Sequence, residues 1–535
     1  MYNSDNFRIY SDANECTSRG VCSSSPVIIS LQELILLFLE HSSYYLLKLN
    51  KMGIDNQAIK REIIRDLAAL VSINEFSDLQ LYEIARKYYS TLISLKSVYK
   101  NNSKGATDYE EINLPIEFNE NTSLPKSISL GEKLFLLNYK NKTSIIRNLS
   151  EILIVMLKGT AYNILHLADY KNCSFDPYRA ILEPLYTLNK SNLNENQIKK
   201  YILKLSKYNY ELQVLLAENV VNNYGKVSKS KVSHSTRAGK AILVSGDNLS
   251  ELKEVLDAAL PNKIDVYTHS ELIISHSLNF FKKYDNLVGH FGGFSNSSII
   301  DFASFQGPIL LAGATKNTSD YLYRGRIYSS DFIVHPGVIN IDNSGISDVI
   351  KSAISSKGFK KGKTKPDELI GFDYDDTIEK FNNIKIRLAE GDIKHLYIIS
   401  LNPFSEQQKA YFNEFFKEIR DDEYVISFSY SANKNNILLI NTGNYIPFAV
   451  QLLNEFLKNF NNNDKVTFLF TTCGAMSLSS IILLHSKGLN NIYMANCPPS
   501  IINPSVFDVF RNAYNVKNLT NASTDLNNIR KNKGV

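Results

Sequence analysis

The chain of 535 residues contains no tryptophan and little cysteine. Its five cysteines stand far apart in the sequence, at Cys16, Cys22, Cys173, Cys473 and Cys497. They are too few and too scattered for the disulfide framework of a small secreted protein. We therefore expect a reducing, cytoplasmic setting.

Strong net charge and long apolar runs are also missing. Lysine and arginine number 59 against 54 acidic residues, a dispersed excess of five. Nucleic-acid-binding domains usually concentrate their basic residues, so no nucleic-acid partner is predicted. The most apolar early stretch, residues 27–39, is interrupted by Gln32 and Glu33 and follows no signal-peptide pattern, so no membrane association is predicted.

What remains is the composition of an ordinary folded protein. Hydrophobic residues make up 44% of the chain and charged residues 21%, close to average globular usage. A single hydrophobic core stops growing at roughly 250–300 residues, so a chain of this length is expected to form two to four domains.

The first part of the chain has the spacing of helices. Between residues 27 and 225, apolar residues recur every three or four positions. The stretch from Ser30 to Glu33 matches a capping box and predicts a helix start, and Met52-Gly53 predicts its end. Further helices are predicted over residues 144–170 and 195–224, with a loop-rich connection over 98–130.

After Lys240 the pattern changes to short β-branched runs that alternate with amphipathic helices. Such alternation favours parallel sheets with right-handed crossovers. A polar stretch over residues 355–366 indicates a domain boundary. Strands are predicted at 241–245, 264–268, 308–312, 395–400, 424–428, 436–440, 466–471 and 491–495, and helices at 249–260, 405–420 and 447–460.

These patterns predict an α/β multidomain protein, with an N-terminal helical bundle region followed by two Rossmann-like α/β domains. The predicted bounds are 1–225 for the helical bundle region, 226–360 for the first Rossmann-like domain and 361–535 for the second.

Three motifs carry a resemblance to a known family. They are Asp265-Val-Tyr-Thr-His-Ser-Glu271, Asn286-Leu-Val-Gly-His-Phe-Gly-Gly293 and Gln306-Gly-Pro-Ile-Leu310. In this order they resemble the core of the hybrid cluster proteins, iron–sulfur–oxygen enzymes often called hydroxylamine reductases and related to carbon monoxide dehydrogenase. The resemblance extends over most of the chain and implies the same three-domain architecture. It also implies a [4Fe-4S] or [2Fe-2S] cluster and a hybrid Fe-S-O cluster.

The cluster ligands that the resemblance implies are almost all replaced. The family builds its hybrid cluster site from a histidine, two glutamates and several cysteines, and of these only Glu271 keeps its residue type. The former hybrid-cluster positions hold Asp247, Glu271, Thr315, Asn402, Tyr430, Tyr445 and Gly474.

The N-terminal cluster motif is half present. The stretch Cys16-Thr-Ser-Arg-Gly-Val-Cys22 resembles its second cysteine pair, but no Cys-x-x-Cys precedes it. Iron–sulfur clusters are normally held by four thiolates. We therefore predict that both clusters are lost and that no other cofactor is bound, with Cys16 and Cys22 as inherited structural thiols.

A functional interpretation of two carboxylates, those of Asp247 and Glu271, stays open. Asp247 and Glu271 follow neighbouring predicted strands, with His269 and His276 close in sequence. Such groups can hold a hard divalent ion or act as general acid and base. Because no complete ligand set accompanies them, we interpret Glu271 as an inherited residue, hydrogen-bonded in a former cleft. Asp247, Glu271 and His269 remain the metal candidates of the alternative.

Three other features have structural interpretations. Gly289, Gly292 and Gly293 lack the spacing of a dinucleotide-binding loop, so close backbone packing is predicted. Cys473 has no identifiable histidine partner and is interpreted as a buried apolar residue. The lysine-rich segment 357–365 is interpreted as a solvated linker rather than a site for an anion or an acidic partner.

The sequence thus predicts a pseudoenzyme with a degenerate active site, in which tyrosines fill part of the space that a cluster would occupy. It would act as a structural or regulatory paralogue, as a homodimer or in a heteromer with an intact paralogue. One alternative is an oxidoreductase of the hydroxylamine or nitric oxide reductase type with a diverged cluster. Another is a new metal-assisted activity in the old cleft.

Overall fold

The computed structural model of the protein describes residues 25–71, 76–103, 110–167, 172–190, 192–293, 298–313, 322–330, 337–341, 345–401, 406–428, 432–471, 474–495 and 504–533. The chain divides into two compact units. The first contains the residues up to Leu212 together with 473–484 and 497–515, and the second contains 213–472, 485–496 and 516–535. The domain bounds predicted at residues 225 and 360 stay predictions.

The first unit is built of helices, as the apolar spacing predicts. Their bounds are α1 (Pro26–Lys51), α2 (Gln57–Ala69), α3 (Asp78–Asn102), α4 (Leu124–Asn141), α5 (Ser144–His166), α6 (Pro177–Leu188) and the first part of α7 (Glu195–Tyr224). Helix α1 is long and apolar enough to span a membrane by length and composition, but two thirds of its apolar stretch is buried within the protein (67%). It is therefore accounted for as a core helix of the bundle.

The start of α1 corrects the predicted capping box. The helix begins one turn earlier, where the Ser25 hydroxyl accepts a hydrogen bond from the Ile28 amide (3.3 Å) and Pro26 occupies the first turn. Ser30 lies inside the helix and donates its hydroxyl proton to the Pro26 carbonyl (2.9 Å). Proline is pre-organised for the first helical position, so it sets the start. The predicted end is confirmed, with Gly53 at a φ of 78°.

The second unit contains two six-stranded parallel sheets, which confirms the α/β prediction. The first sheet has the order β4-β3-β2-β5-β6-β7. Its strands are β2 (Ala241–Gly246), β3 (Asp265–His269), β4 (Leu287–His290), β5 (Ile309–Ala312), β6 (Ile327–Ser329) and β7 (Ile339–Asn340), with helices α8 (Leu249–Ala259), α9 (Ser298–Ser304) and α10 (Ser347–Ser355). Short 3-10 helices cover Leu260–Asn262, Ser270–Ser277 and Asn279–Lys283.

The second sheet has the order β11-β10-β9-β12-β13-β14, so it repeats the topology of the first. Its strands are β9 (His395–Ile399), β10 (Glu423–Ser427), β11 (Ile437–Leu439), β12 (Val466–Phe470), β13 (Ile492–Ala495) and β14 (Val516–Leu519). The remaining helices are α11 (Tyr374–Glu390), α12 (Glu406–Glu418), α13 (Ile446–Leu457), α14 (Ala475–Ser486), α15 (Pro504–Ala513) and α16 (Ala522–Lys533), with a 3-10 turn at Asn463–Lys465. Of these, α15 and most of α14 belong to the first unit.

The central strands are apolar along their whole length because both of their faces are covered. All residues of β2, β3, β5, β9 and β12 are buried. Parallel sheets have this property because their crossover helices pack on both faces. The eight strands predicted from the sequence are all present within one or two residues. The strands that the sequence did not predict, such as β7, are short, and both residues of β7 are exposed.

The lysines of segment 357–365 are exposed to solvent, as predicted, but the segment is not a linker, and that part of the interpretation is wrong. Phe359 and Gly239 exchange two backbone hydrogen bonds (2.9 and 3.0 Å), and Lys363 and Thr236 exchange another two (3.0 and 2.9 Å). The segment therefore lies in register along residues 236–239, and its order comes from backbone pairing that lysine spacing does not reveal. Nearby, β1 (Ser230–Val232) and β8 (Glu368–Ile370) form a separate antiparallel pair.

Candidate functional site

Each sheet has one point at which the strand order reverses. In the first sheet this point lies between β2 and β5, and in the second it lies between β9 and β12. Neighbouring crossovers leave such a point on opposite faces of the sheet, which opens a crevice beyond the carboxyl ends of the strands. Ligands of open α/β sheets bind in these crevices, so both points are candidate sites.

Asp247 occupies the crevice of the first sheet. Its backbone amide donates to the carbonyl of Ala312 at the end of β5 (3.0 Å). Its carboxylate packs on Gly313, where an added Cβ would lie only 2.2 Å from the Oδ1 atom. Gly313 has a φ of 90°, a conformation that residues with a side chain rarely adopt. The position of Asp247 therefore depends on a glycine in the neighbouring strand connection.

Glu271 follows β3, the strand next to β2. Ser270, between β3 and Glu271, is buried and has a left-handed φ of 62°, which is uncommon for a residue other than glycine. Its amide donates to the Gly293 carbonyl (3.0 Å), and its hydroxyl donates to the Glu271 carboxylate. Burial, and secondarily the charge of Asp247, raise the pKa of Glu271 to about 7 against the lowering effect of the Ser270 hydrogen bond. Glu271 therefore titrates near neutral pH.

Tyr445 is brought to the same region by a tight turn after β11. Gly443 and Asn444 both have left-handed φ angles (60° and 63°), and the Tyr445 amide donates to the Thr442 carbonyl (3.1 Å). An added Cβ on Gly443 would lie 2.8 Å from a methyl group of Ile273, in the 3-10 helix that contains Glu271. Tyr445 is 8% exposed, and burial together with the Asp247 charge raises the pKa of its phenol.

Asp247, Glu271 and Tyr445 are thus neighbours in the second unit, as the sequence predicts for Asp247 and Glu271. Gly474 belongs to the first unit and immediately precedes α14. The other predicted positions lie outside the described residues: Cys16, Cys22, Thr315, Asn402 and Tyr430, as well as Cys473.

The crevice of the second sheet is spanned by hydroxyl groups. The Thr471 amide, just after β12, donates to the hydroxyl of Ser400, just after β9 (3.1 Å). The Thr471 carbonyl accepts from the Gln408 side chain in α12 (2.9 Å). These contacts tie the two strand ends together across the reversal point, so the described ends of β9 and β12 form a hydrogen-bonded closure there.

His269 has a role that the sequence did not indicate. Its Nδ1 lies 2.8 Å from the Ser245 hydroxyl and its Nε2 lies 3.3 Å from the carboxylate of Asp301 in α9. The same carboxylate oxygen accepts from the Gly293 amide (3.0 Å), and an added Cβ on Gly292 would clash with it. A carboxylate acceptor at Nε2 makes that nitrogen the donor, so Nδ1 accepts from Ser245. Both ring nitrogens of His269 are thus engaged, by Ser245 and by Asp301, which argues against His269 as a metal ligand.

The close packing predicted for the glycines is confirmed at Gly292 by the contact with Asp301. It is also confirmed at Gly289, where an added Cβ would lie 2.3 Å from the Ser233 carbonyl oxygen. Gly292 and Gly293 form a cradle for a carboxylate of the protein itself.

A histidine network adjoins this region. The Thr268 hydroxyl lies 3.0 Å from His276 Nε2 and 2.9 Å from His290 Nδ1. The His290 ring meets the edge of His234 at 5.5 Å between centroids, and His234 contacts the half-exposed carboxylate of Glu368 (3.1 Å). Burial lowers the pKa of His276 to about 4, and burial also lowers that of His290. Two histidines in this network, the buried His290 and the partly buried His276, are therefore neutral at physiological pH.

The first unit contains its own set of ionisable side chains in its interior. The sequence indicated only Gln32 and Glu33 of this set, as polar residues that interrupt the apolar stretch of α1. Gln32 accepts from Lys158 Nζ (2.6 Å), and Glu33 accepts from the Asn138 amide (3.0 Å). Burial raises the pKa of Glu33 to about 7 and that of Glu40 to about 8, and lowers that of Lys158 to about 8.

Within the described ranges, no group of three or more His, Cys, Asp or Glu residues is arranged to hold a metal ion.

The fold is that of a protein with a helical unit and two parallel sheets of the same strand order, and its candidate site lies at the carboxyl ends of the strands. Residues 11–447 match the Prismane/CO dehydrogenase family. The chain belongs to this family, which confirms the resemblance seen in the sequence.

Relatives of known name match over nearly the whole chain. A hydroxylamine reductase from Methanocella arvoryzae is 24% identical over 536 residues, covering 96% of each chain. One from Zymomonas mobilis is 23% identical over 531 residues, covering 95% of each chain. Among solved structures, the alpha subunit of an acetyl-CoA synthase/carbon monoxide dehydrogenase with NiZn[Fe4S4] and NiNi[Fe4S4] clusters matches with a TM-score of 0.47 and 10% identity. That match covers 96% of this chain and 84% of the other.

The raised pKa of Glu271 predicts an unusual pH dependence. The folded state holds the proton up to about pH 7, whereas the unfolded state loses it near 4.5, so stability is lost as the pH rises between these values. Glu271→Gln should therefore raise the free energy of unfolding at pH 8 by about 1–2 kcal/mol and change it little at pH 4.5. Chemical denaturation at both pH values measures this. The exposed Glu379→Gln serves as control, and an equal effect of Glu271→Gln at both pH values would contradict the assignment.

The neutral His276 predicts the opposite dependence. The unfolded state takes up a proton near pH 6.5, but folded His276 does so only near pH 4, so stability is lost as the pH falls between these values. The titratable groups that act on it are His234 and His290. Glutamine does not titrate. Between pH 6.5 and 4.5 the free energy of unfolding should therefore fall by about 1–2 kcal/mol less in His276→Gln than in the wild type. The comparison variant is His166→Gln in the first unit, and parallel curves for wild type and His276→Gln would refute the prediction.

Proposed function

We propose that this protein is a non-catalytic member of the family, a structural or regulatory paralogue that has lost both the iron–sulfur and the hybrid cluster. Tyr445 carries the proposal. The family resemblance implies a sulfur ligand at this position, and the chain has there a buried phenol under the influence of Asp247. A phenol with a raised pKa is a poor substitute for a thiolate, because it stays protonated at neutral pH.

The other described donors fit the clusters no better. At the implied ligand positions, Asp247 and Glu271 offer carboxylate oxygens, Tyr445 offers a phenol, and Gly474 offers no side chain. Iron in these clusters is held mainly by thiolates, which are soft ligands, whereas carboxylates suit hard ions such as Mg²⁺ and Ca²⁺. The donor set therefore disagrees with the cofactors that the family carries.

Packing around Tyr445 supports a rebuilt interior. The ring lies 5.3 Å from that of Phe448, between centroids, and its turn packs on Ile273 through Gly443. Protein interiors tolerate few voids, so a region that no longer holds a cluster has to be filled by side chains or water. A large ring with a polar end suits this purpose.

Two catalytic alternatives rest on separate observations. The hydroxylamine reductase relatives favour an oxidoreductase of that type with a diverged cluster. Glu271, with a pKa of about 7 beside Asp247, favours acid–base or metal-assisted chemistry in the same cleft, because an acid that titrates near neutral pH can donate and accept protons there.

If Tyr445 is a packing residue, its truncation should be costly. Tyr445→Ala is expected to lower the free energy of unfolding by about 3 kcal/mol, because it leaves a cavity beside Phe448. Tyr445→Phe keeps the ring and should cost less than about 1 kcal/mol. Chemical denaturation of both variants tests this. A Tyr445→Ala variant as stable as the wild type would show that the ring does not fill the site.

Cluster loss is tested by anaerobic purification of the wild-type protein, followed by iron, sulfide and general metal analysis and a visible absorption spectrum. We expect a colourless protein without stoichiometric iron or sulfide. The hydroxylamine reductase of Methanocella arvoryzae, prepared in parallel, controls for metal loss during handling. Stoichiometric iron with sulfide would overturn the proposal in favour of the oxidoreductase. One divalent ion without sulfide would overturn it in favour of a metal-assisted activity.

A further inference from the structure

The segment 357–365 is held as one side of a two-stranded ribbon, which we call the lysine ribbon (residues 357–365 paired with 235–239). Besides the backbone pairs already described, the Lys365 amide donates to the Ser235 hydroxyl (3.0 Å). Gly358 and Gly362 allow the close approach, since an added Cβ on either would lie 2.4 Å from a carbonyl oxygen of the opposite side. Pairing of this kind fixes the backbone and therefore fixes where its side chains emerge.

An aromatic residue anchors the lysine ribbon to the first sheet. The Phe359 ring packs against Phe305 (5.3 Å between centroids), Tyr267 (6.0 Å) and Phe291 (6.1 Å). These three belong to the buried aromatic core on that side of the sheet or pack against it. The ribbon is thus an ordered part of the second unit.

The lysine ribbon presents a concentrated positive charge. All five of its lysines are exposed, namely Lys357, Lys360, Lys361, Lys363 and Lys365. Within the part of the chain that the structure describes, none of the five forms an ion pair with a carboxylate. Like charges held close together repel one another. An ordered set of cations without acidic partners is therefore complementary in charge to an acidic ligand.

A surface groove adjoins the lysine ribbon and shares Lys357 with it. The groove has a volume of about 760 Å³ and lies at the amino ends of β5 and β6, away from Asp247 and Glu271. Phe305, Pro308, Tyr328 and Ile339 contribute to its wall. The charged residues of the wall are Arg326, Lys351, Lys357 and Asp348, of which Lys351 and Asp348 pair with each other (3.0 Å).

The guanidinium of Arg326 is occupied by the protein itself. It donates to the carbonyls of Gly307 (2.7 Å) and Phe302 (2.6 Å), where it holds the end of α9. The charges free to meet a ligand are therefore lysine ammonium groups. A lysine ammonium group acts as a point charge, whereas the planar guanidinium of arginine can bind a phosphate with two parallel hydrogen bonds.

We propose that the lysine ribbon and its groove form a docking surface for an acidic peptide segment of a partner protein. Carboxylates of the segment would meet the ribbon lysines, and one or two apolar side chains would enter the groove against Ile339. This inference rests on the proposed function, because it gives the surface through which a non-catalytic paralogue acts.

A peptide fits these features better than other polyanions do. A groove of this size accepts individual side chains, which a DNA duplex or a flat anionic membrane does not supply. Five lysines on one short ribbon also make a small footprint for a duplex, and the chain carries a net charge of only +5. An acidic segment that also contains leucine matches both the charge of the ribbon and the apolar wall of the groove.

The test uses the full-length protein and a fluorescein-labelled peptide of about 20 residues, rich in glutamate with interspersed leucine, in fluorescence anisotropy. We expect saturable binding that weakens with salt, and about tenfold weaker binding by Lys361→Glu/Lys363→Glu. The matched control, Lys200→Glu/Lys207→Glu on α7, makes the same change in net charge at two exposed lysines and should bind like the wild type. Unchanged unfolding midpoints establish that both variants fold.

Several results would overturn the inference. If both double variants weakened peptide binding equally, the binding would depend on the net charge of the protein and not on the lysine ribbon. A labelled DNA duplex or phosphatidylserine vesicles that bind more tightly than the peptide at the same salt would assign the surface to nucleic acid or membrane. Salt-sensitive dimerisation lost only in the ribbon variant, by light scattering, would assign it to a second copy of this chain. Metal analysis of the same preparation tests the proposed function independently of the peptide. A protein that is free of clusters but does not bind the peptide would contradict only the docking surface.

Discussion

The parallel pairing of β2 with β3 on one side and β5 on the other is the constraint on which the candidate site depends. It brings the ends of three strands to one edge, so that Asp247 lies against Gly313 and near Glu271. The turn that carries Tyr445 then packs on the 3-10 helix containing Glu271 through Gly443. Loss of this pairing would separate residues that are 24 to almost 200 positions apart in sequence.

Burial decides the chemistry available at that edge. It raises the pKa of Glu271 to about 7 and lowers that of His276 to about 4, so both groups favour their neutral forms. Asp247 adds to the effect on Glu271 and Tyr445, because a charge near a buried acid opposes its ionisation. Among the described residues of this edge there is thus one carboxylate whose charge acts on its neighbours, Asp247, beside two groups that are held toward their neutral forms.

Much of the architecture could be predicted because its signals are local. The length of α7 and the positions of the central strands follow from helical spacing and from apolar runs buried on both faces. The errors arose where distant contacts decide. The start of α1 was misplaced by one turn because Pro26 outweighs the Ser30 motif, and the lysine ribbon was mistaken for a linker because its partner strand lies over 100 residues away. The contacts of His269 with Ser245 and Asp301 were invisible for the same reason.

The sequence by itself determined the family and the alternation of helices and strands, since these are properties of residue types and short spacings. Only the tertiary structure decided which of the candidate site residues meet, which ionisable groups are neutral, and which lysines lack acidic partners. These depend on burial and on distances across the fold. A residue's neighbours in space, which set its pKa and its contacts, are fixed only when the strands pair.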